Sequence, residues 1–149
     1  MSSFERLNLR LWLILLVASC SNRAVPGVGR ANESAEDVAA VAQRTIDIES
    51  LQQYFHEDEL PERSPIVVAS ALLANQGARL AKFGLPVVLR AEADTADPTA
   101  PHLIFSITSL TTDQAAVEFA YRVEGIRGTA RLSKRQGKWQ VVASNILER

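Results

Sequence analysis

The side chains able to do chemistry are few in this chain: one cysteine, two histidines, and a handful of tyrosines and carboxylates near them. Cys20 is the only thiol, so no intramolecular disulfide is available and stability must come from packing. His56 stands in Tyr54-Phe55-His56-Glu57-Asp58-Glu59, where a carboxylate neighbour can orient an imidazole. Metal ligation would want a second His or Cys at helical or turn spacing, and none stands nearby. His102 follows Pro101 at the start of an expected strand, an ordinary place for a polar edge residue. There is no Gly-x-Ser-x-Gly elbow and no glycine-rich phosphate loop. The residue types therefore name no reaction, and no metal or cofactor is expected.

Position matters more than type for Cys20. Arg6 and Arg10 precede an apolar run that begins at Leu11, and small residues then lead to the cysteine. Charge, apolar run, small residues is the layout of a secretion signal. A membrane span needs about 20 apolar residues, whereas Leu11 to Ser19 supplies nine. Cleavage at an ordinary Ala-x-Ala site would leave an unpaired thiol exposed in an oxidising compartment. The quartet Val17-Ala18-Ser19-Cys20 resembles the lipobox of bacterial lipoproteins. That resemblance implies removal of residues 1–19, acylation of Cys20 and attachment to the lipid bilayer of the cell envelope, since two or more acyl chains anchor stably. Ser21 follows where the family pattern reserves aspartate for inner-membrane retention, so the expected address is the outer membrane, facing the periplasm, in a two-membrane organism.

Residues 20–32 contain two glycines and a proline without periodicity and read as a tether. Residues 33–149 then form one small domain. Charge is uneven along it. Nine acidic residues between Glu33 and Glu62 face one base, Arg44, while seven basic residues between Gln114 and Arg149 face three glutamates. The net charge of −1 and the envelope address both argue against nucleic-acid binding.

Ser34-Ala35-Glu36-Asp37 is a capping-box pattern with acids in the first turn of a helix. Val38 and Val41 continue at helical spacing, with Ile48, Leu51 and Phe55 either on the same helix or past a break followed by a strand near Ile46. Ser64-Pro65 suits a second helix start, but the β-branched Ile66-Val67-Val68 suits a buried strand better. Beyond Pro98 and Pro101, period-two alternation takes over: Leu103, Phe105 and Ile107, then Val117, Phe119, Tyr121 and Val123. A turn at Gly125-Ile126 would pair Glu124 with Arg127 and Tyr121 with Ala130. One at Gln136-Gly137 would pair Lys134 with Trp139 and Leu132 with Val141. Leu85, Val87 and Leu89 are available for a fifth strand. The expected architecture is α+β: a four- to five-stranded antiparallel meander with one or two N-terminal helices on its apolar face. The segments Leu51–Phe55 and Leu72–Phe83 are further cover for that face.

The runs Ala115-Ala116-Val117-Glu118-Phe119-Ala120-Tyr121 and Gly137-Lys138-Trp139-Gln140-Val141-Val142 resemble the curved sheets of NTF2-like and cystatin-like folds. In NTF2-like enzymes acids, tyrosines and histidines line a pocket, which would make Tyr54, Tyr121 and Asp113 candidates. Tyr121, however, shares the apolar face with Phe119 and Val123, and Asp113 sits in a turn that favours aspartate. The polar face is the better candidate. It gathers Arg122, Arg127, Arg131 and Arg135, with Glu118 and Glu124 as cross-strand partners for some of them. Arginine is favoured where carboxylate or phosphate is gripped. The sequence thus leads to a lipid-anchored, non-catalytic adaptor that binds an envelope protein or an anionic ligand through these arginines. The alternatives are an NTF2-like hydrolase or isomerase, or a small-ligand carrier, using a pocket between sheet and helices.

Overall fold

The computed structural model describes residues 34–91 and 101–148. Cys20, the signal, the tether and Pro98 lie outside the described residues. Helix α1 (Ala35–Ile46) starts where the capping pattern stands: the Ser34 side chain accepts a 3.0 Å hydrogen bond from the Asp37 N–H. Val38, Val41, Ala42 and Ile46 form its buried stripe. The helix stops at Asp47, Ile48 turns out of helical conformation, and a short α2 (Glu49–Gln52) follows. The Gln52 side-chain amide donates to the Ile46 and Ile48 carbonyls at 3.0 and 2.6 Å, satisfying acceptors freed by the break. The segment past Ile46 is therefore a second helix, with no strand there, and it carries Leu51 and Phe55 into the core.

After a 3-10 turn at Pro61–Arg63 come β1 (Val67–Ala69), α3 (Ala71–Asn75), the small hairpin β2 (Ala81–Lys82) and β3 (Leu85–Pro86), and β4 (Val88–Arg90). The meander is β5 (His102–Leu110), β6 (Gln114–Tyr121), β7 (Ile126–Arg135) and β8 (Lys138–Glu148). All but the small hairpin join one sheet in the order β4-β1-β5-β6-β7-β8. The sheet is thus six-stranded and mixed, in place of the expected four- to five-stranded antiparallel one. β1 pairs in parallel with both β4 and β5, while β5 to β8 are antiparallel. β1 falls where the β-branched Ile66-Val67-Val68 suggests a strand, and β4 holds Leu89 of the expected fifth strand. At three residues each, however, they are too short to disclose their order and direction. Their parallel pairing requires a crossover, which α3 and the β2–β3 hairpin supply. Leu85 belongs to that hairpin, apart from the main sheet.

The last hairpin has the expected register, Lys134 opposite Trp139 and Leu132 opposite Val141. Its turn residues Gln136 and Gly137 both lie at positive φ, 50° and 75°, as a two-residue hairpin turn requires. The preceding hairpin differs from expectation. Arg122–Glu124 form a 3-10 turn closed by Gly125 in the left-handed region, so Tyr121 pairs with Ile126 and not with Ala130. The displacement is four residues, an even number, so the side chains that remain in β6 and β7 keep their faces, while Arg122, Val123 and Glu124 leave the strand for the turn. Phe105, Val117, Phe119, Tyr121, Leu132 and Trp139 are therefore buried together beneath Val38, Ile46, Leu51 and Phe55.

One carboxylate fastens α1 to the sheet. Asp37 Oδ1 accepts from Lys134 Nζ at 2.6 Å and from the Trp139 indole N–H at 2.8 Å. The Lys134 hydrogen bond outweighs the opposing effect of burial, and with Trp139 and Ser34 it holds this carboxyl below its ordinary value of 3.8. A carboxyl depressed on folding stabilises the fold above its unfolded pKa, and that contribution disappears as pH falls through the folded value. Asp37→Asn should cost about 1.5 kcal/mol at pH 7, in keeping with a charge-assisted hydrogen bond. Urea titrations at pH 7 and pH 2.5 should show the difference from the parent chain shrinking toward zero at the lower pH.

Candidate functional site

Two polar constellations stand out. The first surrounds His56, whose backbone sits in the left-handed region at φ 50°. Its Nδ1 lies 3.2 Å from Glu59 Oε2 and its Nε2 lies 3.3 Å from Glu124 Oε2. The Arg63 guanidinium pairs with the other oxygen of Glu124. In the same open groove, the Tyr54 hydroxyl is hydrogen-bonded to Glu148, and Phe83 forms an apolar wall. Burial pushes the Glu124 carboxyl up, but hydrogen bonds from Arg63 and His56 prevail and hold it below its ordinary value. The hydrogen bond to Glu148 raises the Tyr54 phenol.

A general base needs a ring nitrogen turned toward the substrate proton. Here both nitrogens of His56 already lie against carboxylates. The arrangement is a tie between the loop after α2 and the β6–β7 connection. It also corrects an expectation: Glu124 belongs to Arg63 and His56, not to Arg127, because β6 ends at Tyr121, three residues before the expected closing pair, and leaves Glu124 in the 3-10 turn.

The remaining candidates have structural settings. Tyr121 is buried and packs edge-on against Phe55, with centroids 5.7 Å apart. Asp113 lies exposed in the β5–β6 turn and accepts a 3.3 Å hydrogen bond from the Thr111 hydroxyl. His102 is buried at the start of β5. Among the described residues, no group of three His, Cys, Asp or Glu side chains is placed to hold a metal ion.

The second constellation is the outer face of β7. Arg127, Arg131 and Arg135 occupy its exposed positions, spaced about 13 Å apart by four-residue steps. Across the strands Arg127 meets Ala120 and Leu147, Arg131 meets Ala116 and Ala143, and Arg135 meets Lys138. Glu118 stands opposite Thr129, diagonal to both Arg127 and Arg131. Among the described residues, none of the three guanidinium groups forms an ion pair. Arg122 is elsewhere, on the 3-10 turn after β6, and does not share this face.

The local carboxylate expected beside His56 is Glu59, three residues on. Arg63 and Glu148 were not legible in the sequence: they meet Glu124 and Tyr54 through contacts 61 and 94 positions apart along the chain, and no local pattern announces such contacts. No described helix is long and apolar enough to cross a membrane. No family model matches this chain, and no curated protein or solved structure is significantly similar to it.

Proposed function

We propose that this chain is a lipid-anchored envelope protein whose small α+β domain acts as a non-catalytic adaptor, gripping an anionic surface of another envelope component through Arg127, Arg131 and Arg135. The observation that carries the reading is the row of three exposed arginines on β7, none engaged in an ion pair among the described residues. Guanidinium groups suit carboxylate and phosphate partners. Their small neighbours Ala116, Ala120 and Ala143 let a partner approach the sheet closely. The anchoring half of the reading rests on the lipobox-like quartet ending at Cys20.

The enzyme and carrier readings need room between the sheet and its helices. The centre of that space is filled by Phe55, Phe105, Val117, Phe119, Tyr121 and Leu132, all buried, and only open grooves remain at its rim, which favours an outward-facing role.

Chemical crosslinking in the native cells tests the adaptor. The parent chain should capture one envelope protein reproducibly, and a variant with Arg127, Arg131 and Arg135 changed to Glu should lose it while remaining membrane-bound. Equal capture by both would remove the arginine face from the account. Cys20→Ser should release the protein from the membrane fraction.

A further inference from the structure

The two ends of the sheet differ in charge, and the chain enters the domain at only one of them. The acidic end holds the loop after α2, the 3-10 turn at Pro61–Arg63 and the C-terminal end of β8. There Glu57, Asp58, Glu59, Glu62 and Glu148 are exposed, with Arg122 on the adjoining turn and Arg127 at the start of β7 the exposed bases beside them. The opposite end is the β7–β8 turn, where Arg131, Arg135 and Lys138 are exposed, and where Arg44 of α1 lines the same groove as Lys138. Lys134 is neutralised by Asp37, and the groove with Arg44 also holds the exposed Asp47, paired with Lys82, and Glu49. Glu36 and Asp113 are the other exposed acids nearby, so the excess of base rests on Arg131, Arg135 and Lys138. The start of α1 is fastened to this basic end, since Asp37 binds both Lys134 and Trp139. Ser34 and Glu36 share a groove with Gly137 and Lys138.

We infer that the basic β7–β8 tip docks on an anionic phospholipid surface, so that the anchored domain stands with its acidic end away from the bilayer. This rests on the lipid-anchored reading above and adds an orientation to it. Cys20 precedes Ser34 by fourteen positions, so the lipid lies at most about 50 Å from the tip. The longest strand spans 11 residues, about 36 Å, so the tether lets either end reach the surface and charge selects the one that docks. Anionic headgroups attract basic side chains within a Debye length and repel the acidic end. Each basic side chain at such a surface is worth about five-fold in the ratio of docked to undocked domain. The docked pose engages Arg135 and Lys138 at the turn and leaves Arg127 and Arg131, farther along the row, free for a protein partner.

Trp139 sits at this tip, and it is the sole tryptophan of residues 20–149. It can therefore report the distance to the bilayer. The chain of residues 20–149 would be coupled through Cys20 to a maleimide lipid in vesicles carrying a dansyl headgroup acceptor. Attachment then does not depend on acylation in the cell, and the mass of the natural N-terminal peptide tests acylation separately. Energy transfer from Trp139 should be markedly higher in vesicles with 30% phosphatidylglycerol than in pure phosphatidylcholine. It should fall to the neutral-vesicle level in about 0.5 M salt. An R135E/K138E variant should lower the docked ratio by at least about 25-fold, with its circular dichroism unchanged. A W139F/D58W variant, which moves the probe to the acidic end, should show the reverse dependence on lipid charge. Equal transfer from Trp139 in anionic and neutral vesicles, or transfer insensitive to salt and to the charge reversal, would overturn the inference even if Cys20 proved to be acylated.

Discussion

Phe55→Ala should cost about 3–5 kcal/mol of folding free energy, the range for removing a large aromatic from a packed core. Phe55 is 2% exposed and joins three parts of the fold. It packs edge-on against Tyr121 of β6 at 5.7 Å and against Phe83 of the β2–β3 hairpin at 6.0 Å. It lies on the segment after α2 that also carries Tyr54 and His56. Alanine removes the ring from both aromatic contacts and leaves a cavity that three separate segments would have to collapse to fill. A small domain is stable by only about 5–15 kcal/mol, so this loss is a large fraction of the total. Urea unfolding should show a much lower midpoint, and Phe55→Leu should lose markedly less because most of the volume is retained. A loss below about 1 kcal/mol for the alanine variant would mean that the loop after α2 is not packed as described.

Gly128→Val should be nearly as damaging, for the opposite reason. Gly128 pairs with Phe119 across β6 and β7, and the ring lies over the glycine. A Cβ placed there would come within 2.4 Å of Phe119 Cζ and 2.8 Å of the Asn145 carbonyl oxygen. The ring can move only by disturbing a packed core, and the carbonyl belongs to the backbone of β8. Overpacking of this kind costs about 1–3 kcal/mol, and the branched side chain should place valine at the top of that range. Phe119→Leu in the same chain should recover part of the loss, giving a coupling of the sign expected for contacting residues. Thermal unfolding of the two single variants and the double variant measures it directly. Simple additivity would show that Phe119 is not the group that excludes a side chain from position 128.

These two positions also show what the sequence discloses and what it hides. The alternation through β6, β7 and β8 placed Phe119, Tyr121, Leu132 and Trp139 on one face, and the structure buries all four. That pattern survives a four-residue error in pairing because parity alone sets the face. The error itself arose at Arg122–Gly125. Gly125 marks the turn, but the 3-10 geometry that lengthens it leaves no mark in a pattern of apolar residues. Strands at Val67–Val68 and Leu89 were legible, but three residues give too little pattern to fix the order and the parallel pairing of β1 and β4. The α1 cap was legible from Ser34 to Asp37, whereas the clasp of Asp37 on Lys134 and Trp139 spans about a hundred positions and depends on the finished fold. The arginine row was legible because it needed only the parity of β7. Its expected fourth member, Arg122, was lost to the turn.

The most direct test of the account places a photoreactive amino acid at Thr129, between Arg127 and Arg131 on the outer face, and at Asp58 on the acidic end as a control. In living cells the Thr129 probe should give one adduct of defined mass. That adduct should be absent from the Asp58 probe and lost when Arg127 and Arg131 are changed to Glu. No adduct at Thr129, or the same adducts from both positions regardless of the arginines, would contradict an adaptor that works through this face.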